Sequence, residues 1–276
     1  MKGQALIRDV DACEVGPEEL AIWWLGQHSF IVKAGTTVIY LDPFLTALPG
    51  REVKPLLQPE EITNATVVTG SHDHADHIDR PAWPVIAKAS PAAVFVLPDL
   101  LRPVIAESTG IPFDRLVGLD DHVTVELGDV HITGVAAAHE FLDRDPASGR
   151  YPYLGFVVEA NECVVYHSGD CCNYEGLQTR LLRWRHDVVF LPINGRDAVR
   201  LAANYIGNMT YQEAADLAGA IGPGLTVPAH YEMFANNLQD PQPFVDYMRV
   251  KYPALSTTVL EHGKRFLYRK AASGRR

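Results

Sequence analysis

The sequence predicts an α/β protein of the α+β kind. Two β-sheets pack face to face with helices on both outer surfaces, giving a four-layer αββα sandwich. Three observations predict it. Short runs rich in Val and Ile recur along the chain. In each half, strands come first as hairpins and then alternate with helices. The 276 residues are 47% hydrophobic and 21% charged, enough apolar material for a core between paired sheets. No internal repeat, low-complexity tract or long linker interrupts the pattern, so a single domain over 1–276 is expected.

The elements follow in order. Residues 21–33 and 37–41 read as a strand pair around Ala34-Gly35. Further strands are expected over 65–69, 93–97, 122–127 and 130–135, the last two joined by the two-residue turn Gly128-Asp129. Apolar residues at helical spacing predict helices over 100–108 and 177–185. The second half repeats the style, with strands over 153–159, 163–167, 188–191, 225–228 and 257–260. Thr210-Tyr211-Gln212-Glu213 is a capping box that opens an Ala-rich helix ending near Gly222-Pro223. Residues 243–252 are expected to form one more helix.

Charge and composition narrow the function. With 24 basic and 34 acidic residues the net charge is −10, so no broad positive field is available to hold phosphate backbones. Nucleic acid is not expected as a partner. No apolar run approaches the roughly 20 residues that span a bilayer, so no membrane partner is expected. Met1-Lys2-Gly3-Gln4 leads into Arg8, Asp9 and Asp11 without an apolar signal core. Cys13, Cys163, Cys171 and Cys172 make no CxxC pair and read as free thiols of a reducing cytoplasm. The expectation is a cytoplasmic protein acting on a small molecule, with a homo-oligomer left open.

The strongest chemical signal is Ser71-His72-Asp73-His74-Ala75-Asp76-His77, directly after the strand at 65–69. Packing does not explain three imidazoles and the Asp76 carboxylate in six residues. Imidazole suits zinc, copper, iron or nickel, and carboxylate widens the choice toward manganese. Neighbouring ligands on a tight loop cannot all reach one tetrahedral ion without strain. Two ions a few ångströms apart fit better, with His72 and His74 on one and Asp76 and His77 on the other. Later strands each deliver one further ligand type at their C-terminal ends: His139, Asp170 and His230. Gly169 permits a tight turn before Asp170, whose carboxylate can bridge two cations.

This HxHxDH pattern, a later His, an Asp in His167-Ser168-Gly169-Asp170 and a last His after a strand resembles the metallo-β-lactamase-fold hydrolases. The resemblance runs from Trp23 to about Tyr268. It implies an αββα sandwich with metals at one edge of the paired sheets. It also implies His72, His74 and His139 on one ion, Asp76, His77 and His230 on the other, and Asp170 between them. Within that superfamily the chain is similar to the L-ascorbate-6-phosphate lactonase group. The stretches that carry this are Trp23-Trp24-Leu25-Gly26, Tyr166–Asp170, Asn208-Met209-Thr210 and 227–237 followed by Gln239-Asp240-Pro241-Gln242.

Supporting residues follow from the same reading. A metal-bound His usually donates its other N–H to a carboxylate or carbonyl. Asp42, in Leu41-Asp42-Pro43, is placed to accept it, as the resemblance also implies. His28 and His167 are expected in hydrogen-bonded supporting roles. Arg144, Asn194 and Arg196 are candidate substrate-binding residues, with Arg200 one helical turn later, because a guanidinium fork suits phosphate or carboxylate. Tyr231 follows a proposed ligand and offers a hydroxyl near a leaving group. Asn173 and Tyr174 are expected to line the cleft, and Cys171 and Cys172 lie beside Asp170.

The expected function is hydrolysis by a dinuclear centre of two divalent metal ions, zinc first, with manganese or iron as alternatives. A bridging hydroxide, oriented by Asp76 as the catalytic residue, opens a lactone or cleaves an ester of an anionic or phosphorylated small molecule. The alternatives are a phosphodiesterase on a small phosphodiester and a metal-containing redox or sensor protein.

Overall fold

In the computed structural model, which describes residues 1–271, strands of the two halves assemble into two seven-stranded sheets. The first half contains α1 (Gln4–Ala12), β1 (Glu19–Gly26), β2 (Ser29–Ala34), β3 (Thr37–Leu41), β4 (Val67–Thr69), α2 (Trp83–Ala89), β5 (Val94–Pro98), α3 (Arg102–Thr109) and β6 (Leu116–Leu119). The second contains β7 (Thr124–Leu127), β8 (Val130–Ala136), β9 (Leu154–Ala160), β10 (Cys163–His167), α4 (Leu177–Leu181), β11 (Val188–Pro192), α5 (Ala198–Ala202), α6 (Tyr211–Ile221), β12 (Leu225–Ala229), α7 (Gln242–Lys251) and β13 (Ser256–Thr257). Last comes β14 (Arg265–Arg269), which returns to the edge of the first sheet beside β1.

Strand order is β14-β1-β2-β3-β4-β5-β6 in one sheet and β13-β12-β11-β10-β9-β8-β7 in the other. In each, an antiparallel meander gives way to parallel strands joined by helical crossovers. The period-2 alternation of β1 shows why it lies in the middle of the layers. Leu20, Ile22 and Trp24 enter the core shared with the second sheet. Ala21, Trp23 and Leu25 pack instead with Leu6, Ile7 and Val10 of α1 and with Trp83 of α2. The sheets meet directly where the rings of Phe30 and Phe190 stack at 4.0 Å.

Some expectations change. The strand expected over 21–33 is two strands, because Gly26 and Gln27 adopt positive φ of 101° and 52° and turn the chain. The strand expected from 122 begins at Thr124, since His122 also has positive φ. Helix α4 ends at Leu181, short of 185, and β13 covers only Ser256–Thr257. Elements α1, α2, β6, α5 and β14 lie outside the expected set. The turn at Gly128-Asp129 joins β7 to β8, and Thr210 caps α6 through its reciprocal pair with Glu213.

The parallel halves aim the C-terminal ends of β3, β4, β10 and β12 at one rim, where ligand-binding crevices of α/β sheets form. Asp42 follows β3, the histidine loop follows β4, and Asp170 and His230 follow β10 and β12. His139 comes three residues after β8.

Candidate metal centre

Two groups of donors converge at this rim. One atom each of His72, His74, His139 and Asp170 lie within 4.8 Å of one another, as do one atom each of Asp76, His77 and His230. Asp170 faces both. Its Oδ1 is 3.2 Å from Nε2 of His77 and 3.2 Å from Nε2 of His230, while Oδ2 is 3.8 Å from Nε2 of His139. Nε2 of His139 is 3.3 Å from Nδ1 of His74.

The donor set fits divalent cations. Nε2 of His77 and Oδ1 of Asp170 are buried and unpartnered although only 3.2 Å apart, and Nε2 of His72 is also buried without a partner. Buried donor atoms that converge without hydrogen-bond partners fit a cation, and imidazole with carboxylate suits zinc, iron or manganese. The electrostatics agree. Burial, reinforced by His77, holds His72 well below the ordinary imidazole range, and burial holds His139 down at about 4. Both keep neutral lone pairs. Burial also acts on His77 and His230, but carboxylates reverse it: Asp170 and Asp76 raise His77 well above its ordinary value and His230 to about 9. A field that favours a proton on these nitrogens favours a cation too.

The supporting shell is built from polar side chains. Oδ2 of Asp42 lies 2.8 Å from Nδ1 of His77. Asp42 also accepts from Thr69 Oγ1 at 2.8 Å, from the Ser71 backbone N–H at 3.2 Å and from Ser71 Oγ. Burial pushes the Asp42 carboxyl up, yet His167, His77 and Ser71 hold it at about 2. His28 departs from expectation. Neither of its ring nitrogens has a hydrogen-bond partner, and Nδ1 stands 3.9 Å from Asp170. Burial and the neighbouring His167 ring, 4.1 Å away, depress it to about 3, so it is a neutral packing residue behind the donors. His167 contacts the His28 carbonyl through Nε2 at 2.8 Å.

A cleft of about 550 Å³ opens over the donors, with His74, Asp76, His139, Asp170 and His230 on its floor. The arginines expected to face a substrate do not line it. Arg196 is tied by both terminal nitrogens to Glu213, at 2.6 and 2.7 Å, and to the Asn208 carbonyl. Arg144 reaches the Gly149 carbonyl, and Arg200 the carbonyls of Asn194 and Leu238. Each satisfies backbone acceptors that shape loops. Tyr231 is buried against Trp24, with ring centroids 5.2 Å apart, and does not reach the cleft. Asn194 is buried one layer behind the wall, where its amide donates to Asn237 at 2.9 Å. Asn173 and Tyr174 also lie off the cleft, the Tyr174 hydroxyl donating to the Ala136 carbonyl. Cys171 and Cys172 are buried, with their thiols on the carbonyls of Cys172 and Gly207.

The walls that do line the cleft include Gln27, Glu52, Tyr205, Phe234, Asn236 and Asn237. Asn236 and Asn237 fall in the 227–237 stretch that carries the resemblance, but nothing in the sequence marks them, or Gln27, as cleft residues. The one available signal for Gln27 was its place after Gly26, at the end of an apolar strand and next to His28.

The comparisons agree with this architecture. Residues 37–231 match the family described as beta-lactamase superfamily domain. The chain is 30% identical over 228 residues to a UPF0173 metal-dependent hydrolase of Pyrobaculum arsenaticum, covering 82% of this chain and 90% of that one. It is 26% identical over 255 residues to a UPF0173 metal-dependent hydrolase of Archaeoglobus fulgidus, covering 91% and 100%. Igni18, a metallo hydrolase from Ignicoccus hospitalis, shares the fold with a TM-score of 0.71 at 19% identity, covering 92% of this chain and all of that one. Fold, donor set and relatives together lead to one assignment: the chain belongs to the beta-lactamase superfamily, among its metal-dependent hydrolases.

Proposed function

We propose that the chain hydrolyses a lactone or ester of an uncharged small molecule with two divalent cations, zinc first. The carrying observation is the position of Asp170, whose two oxygens face separate donor groups. His72, His74 and His139 would hold one cation, and Asp76, His77 and His230 the other, with Asp170 between. Bound there, the cations supply Lewis acidity and a water acidified toward neutral pH.

The chain's own groups do the rest. Asp42 accepts a hydrogen bond from the Nδ1–H of His77, which leaves the Nε2 lone pair aimed at the centre. Asp76 is the more accessible of the two carboxylates, 20% exposed against 5% for Asp170. It is the group to hold the attacking water and take its proton. The water oxygen bonds to the carbonyl carbon, the ring or ester C–O bond breaks, and the proton passes to the leaving oxygen. The products are a carboxylic acid and an alcohol, within one molecule when the substrate is a lactone.

The lining favours a neutral carbonyl compound over an anionic sugar phosphate or a phosphodiester. Asn236 and Asn237 offer amide donors and acceptors, Phe234 an apolar face, and Glu52 a carboxylate that repels anions. The neighbouring arginines are spent on loop carbonyls and Glu213. A phosphoryl transition state spreads charge over several oxygens and gains most from such cations. A lactone develops one oxyanion.

The test is metal content by emission spectroscopy together with a parallel assay of neutral lactones, carboxylic esters and bis(p-nitrophenyl) phosphate. Two cations per chain and a higher kcat/KM on lactones or esters support the reading. A metal-reconstituted protein that prefers the phosphodiester about ten-fold, some 1.4 kcal/mol in barrier, overturns the substrate choice. A protein that takes up no cation overturns the whole.

A further inference from the structure

We infer that Gln27 is a positioning residue that ties the two halves of the second donor group together and sets its affinity for a cation. The inference rests on the proposed metal centre. Gln27 joins the side chain of Asp76, from the loop after β4, to His230, which follows β12 of the opposite sheet. Its Nε2 donates to Oδ2 of Asp76 at 2.8 Å and lies 3.0 Å from Nε2 of His230. Asp76 Oδ2 and His230 Nε2 are themselves 3.5 Å apart. The Gln27 amide therefore sits on the edge that joins the carboxylate to the imidazole.

The backbone of Gln27 is fixed just as closely. Its carbonyl accepts the His230 N–H at 3.0 Å and the Trp24 indole N–H at 3.1 Å. Its N–H donates to Oε1 of Glu232 at 2.8 Å. Glu232 also lies 3.2 Å from Nε2 of His262, whose ring stacks on Trp24 at 4.2 Å. Gln27 is 2% exposed and takes a left-handed φ of 52° that a non-glycine residue rarely adopts. Side chain and main chain thus both bind His230, and only the side chain reaches Asp76.

The chemistry of the amide gives this arrangement its purpose. A ligating carboxylate needs its orientation fixed by a donor, and an amide does so without adding charge. A lysine or arginine in that place would compete with the cation by repulsion. Gln27 holds Oδ2 of Asp76 in register with His230 and leaves the first donor group untouched, since His72, His74 and His139 make no hydrogen bond with it.

The experiment titrates metal-free wild type, Gln27→Ala and Gln27→Met with Zn²⁺ by calorimetry under chelator buffering. The thermal unfolding of each metal-free protein is followed alongside. Methionine keeps the length of glutamine and removes its N–H. In both variants the second equivalent should bind at least about ten-fold more weakly. The first equivalent should keep its wild-type affinity, while the metal-free Tm should fall modestly in both, because Oδ2 of Asp76 loses its hydrogen bond from Gln27. Unchanged affinity for both equivalents overturns the inference. So does equal weakening of both, because that makes Gln27 a packing residue. A wild type that binds no Zn²⁺, Mn²⁺ or Fe²⁺ overturns the metal centre itself, and the inference falls with it.

Discussion

Oδ2 of Asp42 lies 2.8 Å from Nδ1 of His77, and both side chains are fully buried. The pair fixes which imidazole nitrogen faces the donor cluster, and it does so from a strand end 35 residues earlier in the chain. Replacing Asp42 with alanine leaves that N–H and the donors of Thr69 and Ser71 unanswered in the interior. Zn²⁺ affinity by chelator competition should fall about 10- to 100-fold. Unfolding stability should drop by roughly 3 kcal/mol, the range for breaking a buried ionic pair. An Asp42→Ala protein with wild-type affinity would show that His77 is oriented by packing alone.

Asp76→Ala removes a donor from the second group and the proposed proton acceptor together. Metal content should fall from two ions per chain toward one. Turnover should fall far more than the about ten-fold that a 1.4 kcal/mol barrier change gives. Full metal content with normal turnover would take Asp76 out of the centre.

Arg196→Ala should leave KM unchanged for neutral and anionic substrates alike, because the guanidinium is engaged by Glu213 and Asn208. Its effect should appear as a loss of about 1 kcal/mol in stability. A rise in KM restricted to anionic substrates would restore Arg196 as a substrate-binding residue.

The same pair makes a pH prediction. Burial pushes the Glu213 carboxyl up, but Arg196 and the Thr210 cap hold it below its ordinary 4.5. A carboxyl depressed in the folded state adds stability above about 4.5 and loses it as pH falls through the folded value. The Tm difference between wild type and Glu213→Gln should therefore be largest near neutrality and shrink in acid. A difference that stays constant down to pH 3 would count against the assignment.

Gly169 turns the chain at φ 57° immediately before Asp170. A Cβ there would stand 2.7 Å from Cβ of Ser71 and 2.8 Å from the Leu154 carbonyl oxygen. Gly169→Ala should cost on the order of 1–3 kcal/mol and displace Asp170 from one donor group, which metal quantification would detect. Full metal content at wild-type Tm would mean the turn tolerates the side chain.

What the sequence made legible was local. Gly128-Asp129 and the Thr210–Glu213 box are decided within four residues, and the structure forms both. The histidine loop stood out because its residue types have few other uses at that density. The arginines misled because their partners are distant in sequence: Arg196 meets Glu213 seventeen residues on, and Arg200 meets Leu238 thirty-eight residues on. Sequence shows the charge but not what neutralises it. β14 was hidden for a similar reason, since it begins and ends with Arg265 and Arg269 and its partner residues in β1 lie 242 to 250 positions earlier. Gln27 offered only its place between Gly26 and His28, because an amide takes its meaning from the two groups it spans.

The donors do not belong to one sheet. His72, His74, Asp76 and His77 ride on the loop after β4 in the first sheet, whereas His139, Asp170 and His230 follow β8, β10 and β12 in the second. In the proposed centre each cation is therefore a rivet through the sandwich, and the two layers cannot part without shedding it. Mass action makes that a mechanical property of the whole chain: at a hundred times Kd one bound ion adds about 2.7 kcal/mol against unfolding. Metal scarcity would then show first as a sandwich that opens more often, exposing the Phe30–Phe190 seam to proteases, before any catalytic loss is measured.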